Sequence, residues 1–187
     1  MMKKVLFALC LLLCTAVAVA QEKRGMAGFD GGMMVHTGYL SDGGGTSGVT
    51  LGIGGTARLH FGKHFRAGME GYVSSLQRLG NGSYVKYGWG GLLGDFRWNF
   101  GRWIPYIGLT VGGGTSTSLE MTDLRDGQIL EGTFGKKRFM AVDPFIGCEF
   151  AVSDALHLTM KADFLLTPGA MALPKGTRLY FGFIFCH

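Results

Sequence analysis

The feature that most constrains this chain is a period of two that returns along its length. From Leu51 the odd positions read Leu51, Ile53, Gly55, Ala57, Leu59 and Phe61, and the even ones Gly52, Gly54, Thr56, Arg58 and His60. Successive side chains of a strand point to opposite faces, so this segment is a strand with one apolar and one polar face. The pattern recurs from Ala27, where the even positions include Asp30 and His36, and from Phe65, with Arg66 and Glu70 on the polar side. It recurs from Leu92 with Asp95 and Arg97, from Ile107, from Met140 with Asp143 and Glu149, and from Leu156 with His157, Thr159, Lys161 and Asp163. The last such segment sets Leu179, Phe181, Phe183 and Phe185 against Arg178, Tyr180 and Gly182. That makes roughly eight strands, a common even number for a closed barrel.

The links between these segments alternate in length. Short turns fall at 62–64, 101–102 and 153–154, and longer polar links at 41–48, 78–83, 122–136 and 167–176. The link at 122–136 is the longest and most charged. Such alternation gathers all short turns at one end of an up-and-down meander, as in membrane barrels.

Period two does not say which face meets solvent. A soluble up-and-down barrel, such as a lipocalin, turns its apolar face inward, and a membrane barrel inverts this. Three features favour inversion. Glycines crowd the polar face (Gly52, Gly54, Gly68, Gly108, Gly112, Gly147, Gly182), where a narrow lumen leaves little room for side chains. That face also carries both signs of charge, in Arg58, Glu70, Asp95, Arg97, Glu149, Lys161, Asp163 and Arg178, a set able to pair across a lumen as buried charges must. Aromatic residues gather at strand ends: Tyr39, Phe61, Phe65, Trp98, Phe100, Trp103 and Phe150. Girdles of this kind mark membrane interfaces. The expected fold is therefore all-β, an eight-stranded antiparallel transmembrane barrel with a filled polar lumen.

The start of the chain agrees with export. Lys3 and Lys4 precede an apolar run from Val5 to Leu13, and Ala18-Val19-Ala20 is a small-x-small cleavage site, so residues 1–20 read as a secretory signal and 21–187 as the barrel domain. Cleavage lowers the net charge from +5 to +3, a mild excess that does not call for nucleic acid as a partner. Cys148 and Cys186 lie on opposite faces of strands that are not neighbours, and both are expected as free thiols.

With these features the chain resembles the OmpA/OmpX type of eight-stranded outer-membrane barrel, and more narrowly the small outer-membrane barrel proteins of the Bacteroidetes. The resemblance is one of architecture over 21–187. Its most specific part is the final strand, where the barrel-assembly machinery of this class recognises a polar-x-Gly-x-x-aromatic-x-aromatic signal. Tyr180, Gly182, Phe185 and His187 occupy those positions, with His187 where Phe or Trp is usual. The resemblance implies an outer-membrane location, both termini in the periplasm, four loops outside the cell, and outer-membrane lipid and the assembly machinery as partners. An extracellular protein or glycan is the expected ligand of the loops, with the 122–136 link as the leading recognition element.

Some barrels of this size are lipid A deacylases or palmitoyltransferases. The nearest constellation here is His157 with Thr159 and Glu149, which share a face beside a short turn, far from surface lipid. Threonine is a poor nucleophile without strong activation, so a hydrogen-bonded lumen network is the expected role and the chain is read as non-enzymatic. A narrow channel or small-molecule binder using the lumen is the other alternative. His36, His60, His64, His157 and His187 are scattered without ligand spacing, so neither a metal nor a cofactor is expected.

Overall fold

In a computed structural model, eight antiparallel strands close in sequence order into one barrel. The structure describes residues 26–41, 47–77, 84–125, 128–168 and 174–187, so the signal segment 1–20 and most of the links at 41–48, 78–83 and 167–176 lie outside the described residues. The strands are β1 (Met26–Ser41), β2 (Ser47–Phe61), β3 (Phe65–Gln77), β4 (Tyr84–Arg97), β5 (Trp103–Arg125), β6 (Gln128–Ala151), β7 (Leu156–Leu165) and β8 (Lys175–Cys186). β1 pairs with β8 from Asp30↔Cys186 to Ser41↔Lys175, which leaves the sheet no lateral edge at the seam. The C-terminal residue extends the seam: His187 and Phe29 exchange backbone hydrogen bonds of 2.8 and 3.1 Å. Gly62 and Gly101 take φ of 71° and 65° in two of the short turns, a conformation that favours glycine.

The faces are inverted as the alternation requires. Leu92 is 71% exposed on the outside, while Asp30, Arg66, Asp95 and Glu149 are buried inside. On β8, Leu179, Phe181, Phe183 and Phe185 are exposed, while Arg178, Tyr180 and Ile184 are buried. Soluble monomers rarely expose a contiguous apolar patch larger than roughly 300–600 Å². Here large apolar side chains cover the outside of every strand, so the barrel is a membrane-spanning one with hydrocarbon as its outer solvent. β7 and β8, at 10 and 12 residues, match the roughly 9–11 residues a tilted strand needs to cross. Phe61, Phe65 and Phe96 pack in series at 6.0 and 5.3 Å between ring centroids, and Trp103 meets Phe150 at 4.9 Å, forming an aromatic girdle at the short-turn rim.

One expectation is overturned. Over its described residues the segment 122–136 is not an irregular loop, because β5 and β6 run on through it as a paired ladder from Thr117↔Lys136 to Arg125↔Gln128, with register shifts between Met121 and Leu124. At 23 and 24 residues these strands outlast their neighbours. β4 ends at the pair Tyr84↔Leu119, and the six residues of β5 beyond it extend about 20 Å along the strand at ~3.3 Å each. The feature is a projecting hairpin.

Inward glycines are set by what lies across them. A Cβ at Gly54 would strike the Tyr72 ring, at Gly52 the His36 ring, at Gly147 the Tyr106 ring, and at Gly108 the Phe145 ring. Each large lumen side chain lies over the bare backbone of a strand beside it. Overpacking of this kind costs about 1–3 kcal/mol, so Gly54→Leu and Gly147→Leu are expected to lower the urea midpoint of the heat-modifiable folded species. Gly88, where an added Cβ would meet nothing within 4 Å, is the control, and Gly88→Leu should leave the midpoint unchanged.

Candidate functional site

The lumen holds three charge clusters stacked along the barrel. Nearest the short turns, Arg58 and Arg66 are braced by three carboxylates. Arg58 donates through Nε to Asp30 (2.6 Å), through Nη2 to Glu149 (2.8 Å) and through Nη1 to Asp95 (3.4 Å). Arg66 donates through Nε to Asp95 (2.7 Å) and through Nη1 to Glu149 (2.8 Å) and Asp30 (3.3 Å). His60 contacts Asp30 through Nε2, and His157 Nδ1 lies 3.2 Å from Glu149 Oε2. The Tyr106 ring lies under both guanidiniums, at 5.7 and 5.2 Å, and its hydroxyl bonds Thr159 at 3.0 Å. With the Cys186 thiol 3.5 Å from His157 Nδ1, all eight strands contribute to this one cluster.

In the middle, Glu70 accepts from Lys161 Nζ (2.8 Å), Thr110 (2.6 Å) and Tyr72 (3.0 Å). The Lys161 ammonium sits 4.6 Å from the Phe145 and Tyr180 centroids and 5.0 Å from that of Tyr72, a cage that stabilises a desolvated cation. Toward the long links, Arg178 grips Asp163 with both Nε (2.9 Å) and Nη2 (2.8 Å) and reaches Asp143 at 3.1 Å, while its guanidinium stacks over Trp89 at 4.7 Å. Among the described residues this gives four buried cations, Arg58, Arg66, Lys161 and Arg178, against six buried carboxylates, Asp30, Glu70, Asp95, Asp143, Glu149 and Asp163. The imidazoles of His60 and His157 lie against the surplus carboxylates of the first cluster.

Seven of the eight residues read from the sequence as a lumen set are thus brought into ion pairs: Arg58, Glu70, Asp95, Glu149, Lys161, Asp163 and Arg178. Arg97 is not. It ends β4 at the short-turn rim, half-buried, and makes no ion pair among the described residues, although its carbonyl faces His64 Nδ1 at 3.0 Å. Besides His157, which was weighed with Thr159 and Glu149, four partners were missing from that set: Asp30, His60, Arg66 and Asp143. All four carry the polar parity, so a charge count extended to every even or odd position would have found them.

The residues weighed for catalysis do not assemble. The Thr159 hydroxyl is bound to Tyr106 rather than His157, and Glu149 already holds Arg58 and Arg66. The nearest nucleophile to His157 is the Cys186 thiol, which shares the same Nδ1 with Glu149 instead of using the opposite ring nitrogen. Cys148 faces away from the lumen, and both thiols are free. No cluster of three or more metal-ligating side chains occurs among the described residues. Of the C-terminal signal residues, Tyr180 is buried in the lumen and Phe185 is exposed on the outside, with Gly182 between them. A Cβ at Gly182 would collide with the backbone of Met33 and Met34.

No protein-family model matches the sequence, nor does any curated protein. Solved structures do match in fold. Neisserial surface protein A aligns over 86% of this chain and 98% of its own, with a TM-score of 0.69 at 13% identity. Ail, the attachment invasion locus protein of Yersinia pestis, solved with the heparin analogue sucrose octasulfate, aligns over 87% and 100%, with a TM-score of 0.58 at 9% identity. The outer membrane protein OprG of Pseudomonas aeruginosa aligns over 87% and 97%, with a TM-score of 0.52 at 16% identity. The chain therefore has the eight-stranded fold of outer-membrane barrels.

Breaking a buried ion pair from one side costs about 3–5 kcal/mol because the other charge stays buried. Arg66→Met should therefore destabilise the barrel by that order in urea titrations followed by tryptophan fluorescence. Arg97→Met, which leaves no carboxylate unpaired, should shift stability by ~0.5 kcal/mol or less.

Proposed function

We propose that this protein is a non-enzymatic barrel of the bacterial outer membrane, with a structural or surface-interaction role exercised through its long-link end. The observation that carries this reading is the projecting β5–β6 hairpin, a ladder that continues well past the other strands. An extension of the wall built on a paired ladder costs the barrel nothing in closure and reduces the ordering cost of binding. The termini are placed in the periplasm on this reading, with Tyr180, Gly182, Phe185 and His187 serving the assembly machinery.

The partner class follows from charge. Residues 120–131 hold Glu120, Asp123, Asp126 and Glu131 against Arg125 alone, a balance that fits a basic protein surface better than a polyanion. The sulfated glycan analogue carried by Ail is therefore the contrasting ligand to test beside it. Transport finds no support in the lumen. Between the first two charge clusters the gap measures about 10 Å³, room for about one water.

The hairpin is tested by replacing residues 121–132 with Asn-Gly, a two-residue turn that closes the ladder above Glu120↔Thr133. The shortened protein should stay heat-modifiable and lose at least ten-fold in binding to host cells or to a basic extracellular protein. Unchanged binding, or binding recovered with a sulfated glycan alone, would overturn the assignment. In planar bilayers the wild-type protein should show no stable, large conductance. A lipid A profile unaltered in a deletion strain is the expected result for a protein without lipid-modifying activity.

A further inference from the structure

The outside of the barrel is apolar but not uniformly covered. Gly55 of β2, Gly71 of β3, Gly90 of β4 and Gly113 of β5 are successive cross-strand partners on the outward face. Three of these glycines, Gly55, Gly71 and Gly90, line an open groove of about 770 Å³ bounded by Ala57, Met69, Leu92 and Val111. The inward glycines are dictated by large lumen side chains, as at Gly54 and Gly147, or by neighbouring backbone, as at Gly68 and Gly112. Outward ones such as Gly71 and Gly88 are not: a Cβ at Gly71 would come no closer than 3.6 Å to any atom, and one at Gly88 would meet nothing within 4 Å. Packing within the protein gives no reason for glycine at these two positions. Glycine in a strand often marks a place where another molecule approaches closely.

Charge stands directly above the groove. Reading outward rungs from the long-link rim, the first is Lys86–Thr117–Lys136, the second Gly88–Thr115–Arg138, and the third Gly90–Gly113–Met140. Lys86, Lys136 and Arg138 are all exposed, and none makes an ion pair among the described residues. Same-face rungs lie about 6.7 Å apart, twice the ~3.3 Å rise per residue. The cations are thus placed ~7–13 Å from the bare row, the separation between a lipid's charged headgroup and the upper part of its acyl chain. Basic side chains at a membrane surface attract anionic lipids with about 1 kcal/mol each.

We propose that this face is a binding site for one anionic, phosphate-bearing lipid of the leaflet at the long-link end. The phosphate sits among Lys86, Lys136 and Arg138 with the Thr115 and Thr117 hydroxyls, and one acyl chain lies in the glycine groove. The site rests on the reading of the outer face as membrane-embedded and is independent of what the hairpin tip binds.

The test is native mass spectrometry of the full barrel released from detergent micelles, with dimyristoyl phosphatidic acid as probe and dimyristoyl phosphatidylcholine as neutral competitor. Wild-type protein should retain one phosphatidic acid in preference to phosphatidylcholine. The triple variant K86Q/K136Q/R138Q should lose that preference by at least ten-fold. Gly71→Leu, which fills the groove, should reduce retention of the lipid while leaving the response to inorganic phosphate unchanged, and Ala57→Leu provides a second groove variant should the first fail to fold. Heat-modifiable migration of each variant separates loss of the site from loss of the barrel. Equal retention of both lipids by wild type, retention unaffected in the charge or groove variants, or inorganic phosphate competing as well as the intact lipid would each overturn the proposal.

Discussion

Closing eight strands into a narrow tube encloses charges that have no bulk water to meet, and the pairing of Arg58 and Arg66 with Asp30, Asp95 and Glu149 is the interaction on which the remainder depends. These five side chains come from five strands, β1, β2, β3, β4 and β6, and each guanidinium touches all three carboxylates. Ion pairs buried this fully contribute little net stability relative to an apolar core, because desolvation offsets the Coulomb gain. Their effect is on specificity. A register slip of one residue in any of these strands would move that strand's charges to the lipid side, where ionised groups are strongly unfavourable. The cluster therefore penalises a one-residue slip more than it stabilises the right register.

Glycine makes this interior possible. A barrel of eight strands is just wide enough for its lumen to be filled by side chains. Tyr72, Tyr106, Phe145 and His36 fit only because the strands they lie over present bare backbone at Gly54, Gly147, Gly108 and Gly52. The aromatic rings in turn supply what the cations lack. Lys161 has one close carboxylate partner, Glu70, with Asp163 at 4.0 Å, and three ring faces complete its surroundings. Small residues, rings and charges are thus one packing solution. Gly71, in the outward row from Gly55 to Gly113, and Gly88, one rung above that row, stand apart from it, since no lumen group requires either.

Alternation made the fold legible: strand count, closure, the facing of each residue and the free thiols on opposite faces all follow from a period of two. Depth along the barrel does not. Arg97 faces the lumen like the rest of the set but ends its strand at the rim, where no carboxylate of the described residues comes within ion-pair distance, whereas Arg66 faces the same way and lies at the centre of the first cluster. Parity assigns a side and leaves height to the register, which only the cross-strand pairing determines. The hairpin was illegible for a different reason. Residues 122–136 mix charge with glycine, as loops do, yet backbone pairing in a ladder needs no alternation of side chains once the ladder has begun at the rim. Reading that segment as a loop also hid the run Lys136-Lys137-Arg138, whose facing becomes defined only when it is a strand.

The arrangement also locates function by what the lumen has given up. The groups weighed for acid–base or nucleophilic chemistry are already committed: Glu149 to two guanidiniums, Thr159 to Tyr106, and His157 to Glu149 through the nitrogen that faces Cys186. Freeing one of them for a substrate would leave a buried charge or donor without its partner, at a cost comparable to a large part of a small domain's stability. A barrel built this way is stiff inside and unconstrained outside. The surfaces left to evolve a task are the projecting hairpin, which meets water, and the basic rungs above the glycine groove, which meet lipid. The two adjoin along β5 and β6, so a lipid held at the base of the hairpin would fix the height and tilt at which the hairpin presents itself.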